Sequence, residues 1–170
     1  MNWAKIRKED VANGPGIRVS IWIQGCNRRC HNCFNPETWD ATKGHILGPK
    51  VLKQFLDFGD NDNVVGYSIL GGEPLLFPNE MLQLVRAIKE RHPDKTIWMW
   101  TGFTYESLND DQLKVLHYVD YLVDGAFIED LKNPDLAFRG SSNQRILKIN
   151  HSEDSITDES NYFDNYNTTY

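Results

Sequence analysis

The stretch Arg18–Cys33 reads RVSIWIQGCNRRCHNC, a run of apolar residues followed directly by a cysteine-rich loop. Residues 18–24 have the composition of a buried strand, and the cysteines Cys26, Cys30 and Cys33 follow it as C-x3-C-x2-C. They are the only three cysteines of the chain, and an odd number excludes a fully paired disulfide framework. Three thiolates can hold three irons of a [4Fe–4S] cluster, which leaves the fourth iron without a cysteine.

Two alternatives for the cysteine loop remain open on the residues alone. A zinc site would need a fourth ligand, such as His31, but zinc sites usually combine two separated short ligand pairs and no second pair is present. A ferredoxin-type electron carrier would need a fourth cysteine. The spacing therefore favours a cluster with one open iron.

Other motifs lie along residues 10–150, in an order that resembles the radical S-adenosylmethionine (SAM) superfamily. The cysteine loop is similar to the cluster loop of that superfamily, and Gly71-Gly72-Glu73-Pro74 to its SAM-binding motif. Further stretches resemble the glycyl-radical activating enzymes, and among them the family that activates anaerobic ribonucleotide reductase: 13–18 (NGPGIR), 98–103 (WMWTGF), 123–127 (VDGAF) and 139–145 (RGSSNQR).

The resemblance implies a set of ligand-binding residues. Cys26, Cys30 and Cys33 would bind the cluster, and the amino and carboxylate groups of SAM would chelate its open iron. Gly71, Gly72, Glu73 and Pro74 would bind SAM, since glycines let a backbone approach a ligand closely.

The residue before the third cysteine is commonly aromatic in the superfamily. Here it is Asn32, with Phe34 directly after the third cysteine, and both are candidates for the adenine contact. Asp124 is a candidate for the ribose or amino end of SAM, although Asp124-Gly125 also reads as a simple turn. Arg18 is expected to pair with Glu73 or to lie at the sheet edge.

Apolar periodicity predicts alternating strands and helices. The pattern gives strands at 18–24, 64–70, 96–101, 121–123 and 145–149, and helices at 49–58, 79–91 and 110–119, with Asn79 as an N-cap. Trp98, Trp100 and Phe103 are expected in the core. This order predicts an α/β fold with a largely parallel sheet. By resemblance it is a partial, open (β/α) barrel of the radical SAM type. Both motifs follow strands, so they are expected at one edge of the sheet.

The resemblance implies an activase for anaerobic ribonucleoside-triphosphate reductase. An electron donor such as flavodoxin would reduce the cluster, SAM would be cleaved reductively, and hydrogen abstraction would leave a glycyl radical on the large subunit of the reductase. The alternatives are an activating enzyme for another glycyl-radical protein, of the pyruvate formate-lyase type, and a non-catalytic iron–sulfur or zinc module. The latter has no reason to carry a SAM-binding motif.

Charge and composition bound the remaining expectations. Of the net charge of −6, the last twenty residues carry −5 and residues 1–150 only −1, so no basic excess points to nucleic acid. Residues 1–150 are expected to form the radical SAM domain, and 151–170 an acidic, disordered C-terminal tail. Tyr162, Phe163, Tyr166 and Tyr170 leave docking of this tail open. No signal peptide or membrane span is apparent, which predicts a cytoplasmic protein.

Overall fold

One mixed sheet of eight strands organises residues 1–166, the part of the chain that the computed structural model describes. The strands are β1 (Asn2–Asp10), β2 (Ile17–Gln24), β3 (His45–Ile46), β4 (Val64–Gly71), β5 (Thr96–Trp100), β6 (Tyr121–Asp124), β7 (Arg145–Asn150) and β8 (Ser155–Asp158). The helices are α1 (Pro49–Phe58), α2 (Pro78–Arg91), α3 (Asp110–Leu116) and α4 (Ser160–Tyr166). In the described part of the chain no helix is long and apolar enough to cross a membrane.

The sheet is open, and its strand order is β3-β1-β2-β4-β5-β6-β7-β8. Its centre, β2-β4-β5-β6, is parallel, whereas the pairings β1–β2, β1–β3, β6–β7 and β7–β8 are antiparallel. The prediction of a largely parallel sheet is therefore wrong, although the α/β class is confirmed. The reason is local: the first strand turns back onto β2, and the chain after β6 adds a hairpin instead of another helix and parallel strand.

The parallel centre follows the apolar pattern closely. Helix α1 has the predicted bounds, and α2 begins one residue before its predicted start. The prediction of Asn79 as an N-cap is wrong, because Phe77 occupies that position without a side-chain cap and Pro78 is the first helical residue. Proline suits that position because the first N–H of a helix has no acceptor within the helix. Helix α3 ends at Leu116, earlier than predicted.

Two clusters of buried side chains hold the sheet and helices together. The larger lies between the parallel strands and helices α1–α3, and includes Ile21, Ile69 and Met99. The smaller is built around Trp98, which contacts Tyr121 and Phe163 at ring-centroid distances of 4.6 and 5.1 Å. Trp98 is thus a core residue, as predicted.

The acidic C-terminal stretch, expected to be disordered, contains strand β8 and helix α4 in the structure. Strand β8 pairs with β7, so the domain boundary expected at residue 150 lies within a hairpin. Phe163 of α4 is buried in the smaller cluster and is only 4 % exposed. A few apolar side chains are enough to attach this stretch despite its composition. The rest of the expected tail, 167–170 with Tyr170, lies outside the described residues.

Candidate functional site: a cavity at the carboxyl ends of the parallel strands

The loops that follow the parallel strands enclose a cavity of about 710 Å³. All three cysteines line it, and so do Gly71 and Gly72, as the strand pattern predicts. The cysteine loop and the glycine pair meet because β2 and β4 are adjacent and parallel, with Ile23 in register with Gly71.

The cysteine loop is held by its own backbone. The Gly25 and Cys26 N–H groups donate to the carbonyls of Thr38 and Trp39, at 2.7 and 3.0 Å. The Gln24 side-chain amide donates to two further carbonyls of the same segment, at 2.9 Å each. These bonds close the loop at its base and leave the three thiols half-buried on the cavity wall.

The three cysteines give this wall thiol groups that can serve as metal ligands. Among residues 1–166, no three side chains of the types His, Cys, Asp and Glu gather closely enough to hold one metal ion. His31 is exposed beside the loop. Cysteine thiolates are the usual protein ligands of iron–sulfur clusters, so this donor set fits the group that the spacing predicts. Partial burial raises the pKa of Cys26, and the carboxylate of Glu73 adds to this effect.

The two glycines are required by the neighbouring strand as well as by any ligand. Gly71 has φ +111°, and a Cβ there would lie 2.5 Å from the Ile23 nitrogen. A Cβ on Gly72 would lie 2.3 Å from the Gly25 carbonyl oxygen. The N–H groups of Gly72 and Glu73 donate to the carbonyls of Ile23 and Gly25, both at 2.8 Å. The glycine motif is therefore bonded directly to the base of the cysteine loop.

Glu73 is a buried carboxylate that joins two loops. It accepts hydrogen bonds from the Leu75 N–H (3.1 Å), the Thr101 hydroxyl (2.7 Å) and the Gly102 N–H (2.7 Å). Burial raises its pKa despite these donors and the positive charge of Arg28. Pro74 begins the short 3₁₀ turn that follows. Glu73 lines the cavity, and its three hydrogen bonds fix the positions of the surrounding backbone.

The two candidates for an adenine contact are placed differently. Asn32 is exposed, has φ +52°, and is not part of the cavity wall. Phe34 lines the cavity and packs against Phe127 at a centroid distance of 5.0 Å. The Lys132 ammonium lies 5.3 Å from the centroid of the Phe34 ring. Of the two candidates, only Phe34 therefore lines the cavity.

Asp124 is buried beneath the cavity and does not line it. Its carboxylate accepts hydrogen bonds from the Tyr105 N–H (2.8 Å) and from both Nε and Nη2 of Arg145. Arg145 in turn binds Glu106. Its oxygens are occupied by these donors, and the neighbouring Gly125 lines the cavity, while the contact of Asp124 with the ligand stays a prediction.

Both expectations for Arg18 are wrong. Its guanidinium is buried within the sheet and donates to the carbonyls of Tyr67 (2.8 Å) and Thr96 (2.9 Å) and to the Ser68 hydroxyl (2.8 Å). Burial lowers its pKa to about 10, so it is charged at neutral pH. Arg18 therefore joins β2, β4 and β5, and does not contact Glu73.

Several cavity residues were not predicted from the sequence. Trp100, expected in the core, lines the cavity and donates through Nε1 to the Phe138 carbonyl (2.8 Å). Arg28 lies over the Phe103 ring at 3.7 Å from its centroid. In the sequence, its position between two cysteines was the feature that indicated a place at the site. Much of the stretch 132–140 also forms the wall, and only its proximity to the RGSSNQR motif pointed to it.

Comparison with known proteins agrees with this geometry. Residues 12–147 match the family model of the 4Fe–4S single cluster domain, so the fold and site define a protein of that class. The chain is 40 % identical over 155 residues to an anaerobic ribonucleoside-triphosphate reductase-activating protein of Vibrio cholerae, covering 88 % of this chain and 99 % of the relative. Proteins of the same name in Escherichia coli K12 and Enterobacteria phage T4 are each 37 % identical, over 86 % of this chain and 97 % and 93 % of the relatives. The chain belongs to this family of activating proteins.

Proposed function

We propose that this chain activates an anaerobic ribonucleoside-triphosphate reductase, by binding a [4Fe–4S] cluster and SAM and generating a glycyl radical on the reductase. The observation that carries the proposal is the joining of two motifs in one cavity: three thiols on one wall, and the Gly71-Gly72 backbone bonded to the base of the same loop. The names of its relatives support the reductase as the partner.

Cys26, Cys30 and Cys33 would hold the cluster, and the reduced cluster would supply the electron that cleaves SAM. The remaining contributions come from the chain itself. The backbone at Gly71 and Gly72 is exposed to the cavity without side chains, so that its polar groups can receive the amino group of SAM. Phe34 offers an apolar face for the adenine. Glu73 keeps the backbone in place and contributes negative charge to this end of the cavity.

An open sheet suits a macromolecular substrate. The parallel centre β2-β4-β5-β6 supports a partial barrel of the radical SAM type, and its sheet does not close around the cavity. A polypeptide loop of the reductase can then approach the bound SAM closely enough for hydrogen transfer, which depends on positioning. The electron donor would be a small one-electron carrier such as flavodoxin, and the reaction would take place in the cytoplasm.

The test is an anaerobic assay of 5′-deoxyadenosine. The protein is reconstituted with iron and sulfide to about four irons per chain, reduced with dithionite and given SAM. We expect product from the wild type and none from Cys26→Ala, while a variant of an exposed residue far from the loop, Glu90→Ala, keeps full yield.

A wild type that binds iron and yields no product is assayed again with the reductase present. Absence of product there as well would contradict the proposed activity and leave a non-catalytic iron–sulfur module. Product without a glycyl radical on the reductase in electron paramagnetic resonance would instead favour an activase for another glycyl-radical protein.

A further inference from the structure

One wall of the cavity consists of residues 132–140, which we call the wall segment. It contains turns and a single isolated bridge, Lys132 to Ser141, and so has little secondary structure of its own. At its end, Gly140 packs so closely behind the aromatic pair that a Cβ there would lie 2.8 Å from Phe34 and 3.1 Å from Phe127. The position of this segment therefore limits where the rings of Phe34 and Phe127 can lie. We call these two rings the aromatic face.

Three side-chain groups from outside the wall segment form hydrogen bonds with it, and the Phe138 ring also packs on Trp98 at a centroid distance of 5.4 Å. The Trp100 indole donates to the Phe138 carbonyl, and the Gln144 side-chain oxygen accepts from the Gly140 N–H at 2.9 Å. The third contact comes from α4. Asp164 accepts from the Ala137 N–H (3.2 Å) and from Nη1 and Nη2 of Arg139 (2.9 and 2.6 Å).

The contact from α4 is the strongest by its chemistry. A two-pronged bond between a guanidinium and a carboxylate is charge-assisted on both arms. Arg139 is only 5 % exposed in its side chain and Asp164 27 %, so water screens the pair less than it would on an open surface. Arg139 lines the cavity, whereas Asp164 does not.

Helix α4 is itself anchored on the sheet. Phe163, the neighbour of Asp164, is buried against Trp98, Tyr121 and Phe138 at centroid distances of 5.1, 5.7 and 5.9 Å. Because β5 and β6 hold helix α4 through Phe163, the helix in turn holds the wall segment in place relative to these strands.

We propose that Asp164 is a positioning residue for the ligand: through Arg139 it holds the wall segment, and with it the aromatic face, in the arrangement that binds SAM. This inference rests on the proposed function. It assigns a role in cofactor binding to a carboxylate in the last described helix, outside every motif that resembles the family.

The experiment compares Asp164→Ala and Asp164→Asn with Glu159→Gln in the full chain. Glu159 is a matched control, because it lies directly before α4 but binds Lys148 of β7 (3.5 Å) and the Tyr121 hydroxyl (3.4 Å) instead of the wall segment. The measurements are SAM affinity of the iron-loaded protein and hydrogen exchange, by mass spectrometry, of peptides from 132–144. Peptides from 64–71 serve as an internal reference.

We expect both Asp164 variants to bind SAM about tenfold more weakly, since they lose charge-assisted bonds, at unchanged iron content. Exchange in 132–144 should accelerate while 64–71 stays as in the wild type. Glu159→Gln should alter neither. The asparagine variant keeps the shape of the side chain. Its SAM affinity and hydrogen exchange therefore test the proposal if the alanine variant does not fold.

Unchanged SAM affinity in a folded Asp164 variant would overturn the proposal, as would an equal loss in Glu159→Gln. A wild type that binds iron but not SAM would refute the proposed function instead. The exchange data still test the coupling in that case: faster exchange in 132–144 would support it, and exchange unchanged in that range would overturn it.

Discussion

Replacement of Glu73 by alanine tests how the cavity is built. The carboxylate has no exposed surface and three donors, so its removal leaves the backbone N–H groups of Leu75 and Gly102 without their acceptor. Each buried donor that loses its partner costs about 1–3 kcal/mol. The relief of burying a charge offsets part of this sum. We therefore expect Glu73→Ala to lower the free energy of unfolding by about 3 kcal/mol.

The same substitution should weaken SAM binding. Without Glu73 the loop at Thr101 and Gly102 loses its bond to the glycine motif, and the negative charge at this end of the cavity disappears. We expect about a tenfold loss of SAM affinity, equivalent to about 1.4 kcal/mol. Iron content should remain near that of the wild type, because the hydrogen bonds that Glu73 accepts come from Leu75, Thr101 and Gly102 and not from a cysteine.

The assay combines urea unfolding of the apoprotein with anaerobic titration of SAM into the iron-loaded protein. Glu90→Ala is the matched control, because Glu90 is an exposed glutamate of α2. A Glu73→Ala protein with the stability and SAM affinity of the wild type would refute the reasoning. Loss of iron together with SAM binding would show that Glu73 acts on the cysteine loop instead.

The pH dependence of stability gives a second check on Glu73. Burial raises its pKa above the ordinary 4.5, so the folded state binds this proton more tightly than the unfolded state does. The contribution of the group to stability is then largest below pH 4.5 and declines as the pH rises toward the folded-state pKa. Urea unfolding at several pH values should show the stability difference between wild type and Glu73→Gln moving in favour of the glutamine variant as the pH rises.

Five further substitutions test individual parts of the structure. Gly72→Ala should abolish SAM binding, as measured by titration, because its Cβ collides with the backbone of the cysteine loop. Phe34→Ala should lower SAM affinity about fivefold or more, while Asn32→Ala leaves it within twofold, since only Phe34 lines the cavity. Phe163→Ala should destabilise the protein to urea by about 3–5 kcal/mol, which a disordered tail would not do. Arg18→Met should cost about 3 kcal/mol in the same measurement, because several buried acceptors lose their donor, with SAM affinity of the folded protein unchanged.

Apolar periodicity was sufficient for the parallel centre of the fold and insufficient for its edges. Strands 64–71 and 96–100 are mostly apolar, and such near-continuous apolar runs predict buried parallel strands. Strand β1 reads NWAKIRKED and is half-exposed, so its charged residues conceal it. The four-residue strand β8 lies in an acidic context that indicates disorder. Edge pairing depends on contacts between distant segments, which local composition does not record.

The site shows the same division between what local sequence determines and what tertiary structure decides. The cysteines and glycines were identified because their chemistry is local. The partners of Arg18, Asp124 and Asp164 were not, because each lies on a different strand or helix from the group that it binds. For Glu73, the sequence predicted a charge near a ligand, and the structure adds three donors from two loops.

The cavity is assembled mainly by bonds between successive loops at the ends of the parallel strands. The Glu73 N–H donates to the Gly25 carbonyl, the Glu73 carboxylate accepts from Gly102, and the Gly125 N–H donates to the Phe103 carbonyl at 2.7 Å. The loops after β2, β4, β5 and β6 are thereby linked in strand order, mostly through backbone groups that tolerate a change of side chain. The exposed side chain of Asn32 takes no part in this linkage. We therefore expect substitutions of Gly71, Gly72 and Glu73 to be costly, since each residue leaves space or supplies an acceptor that the neighbouring loop requires.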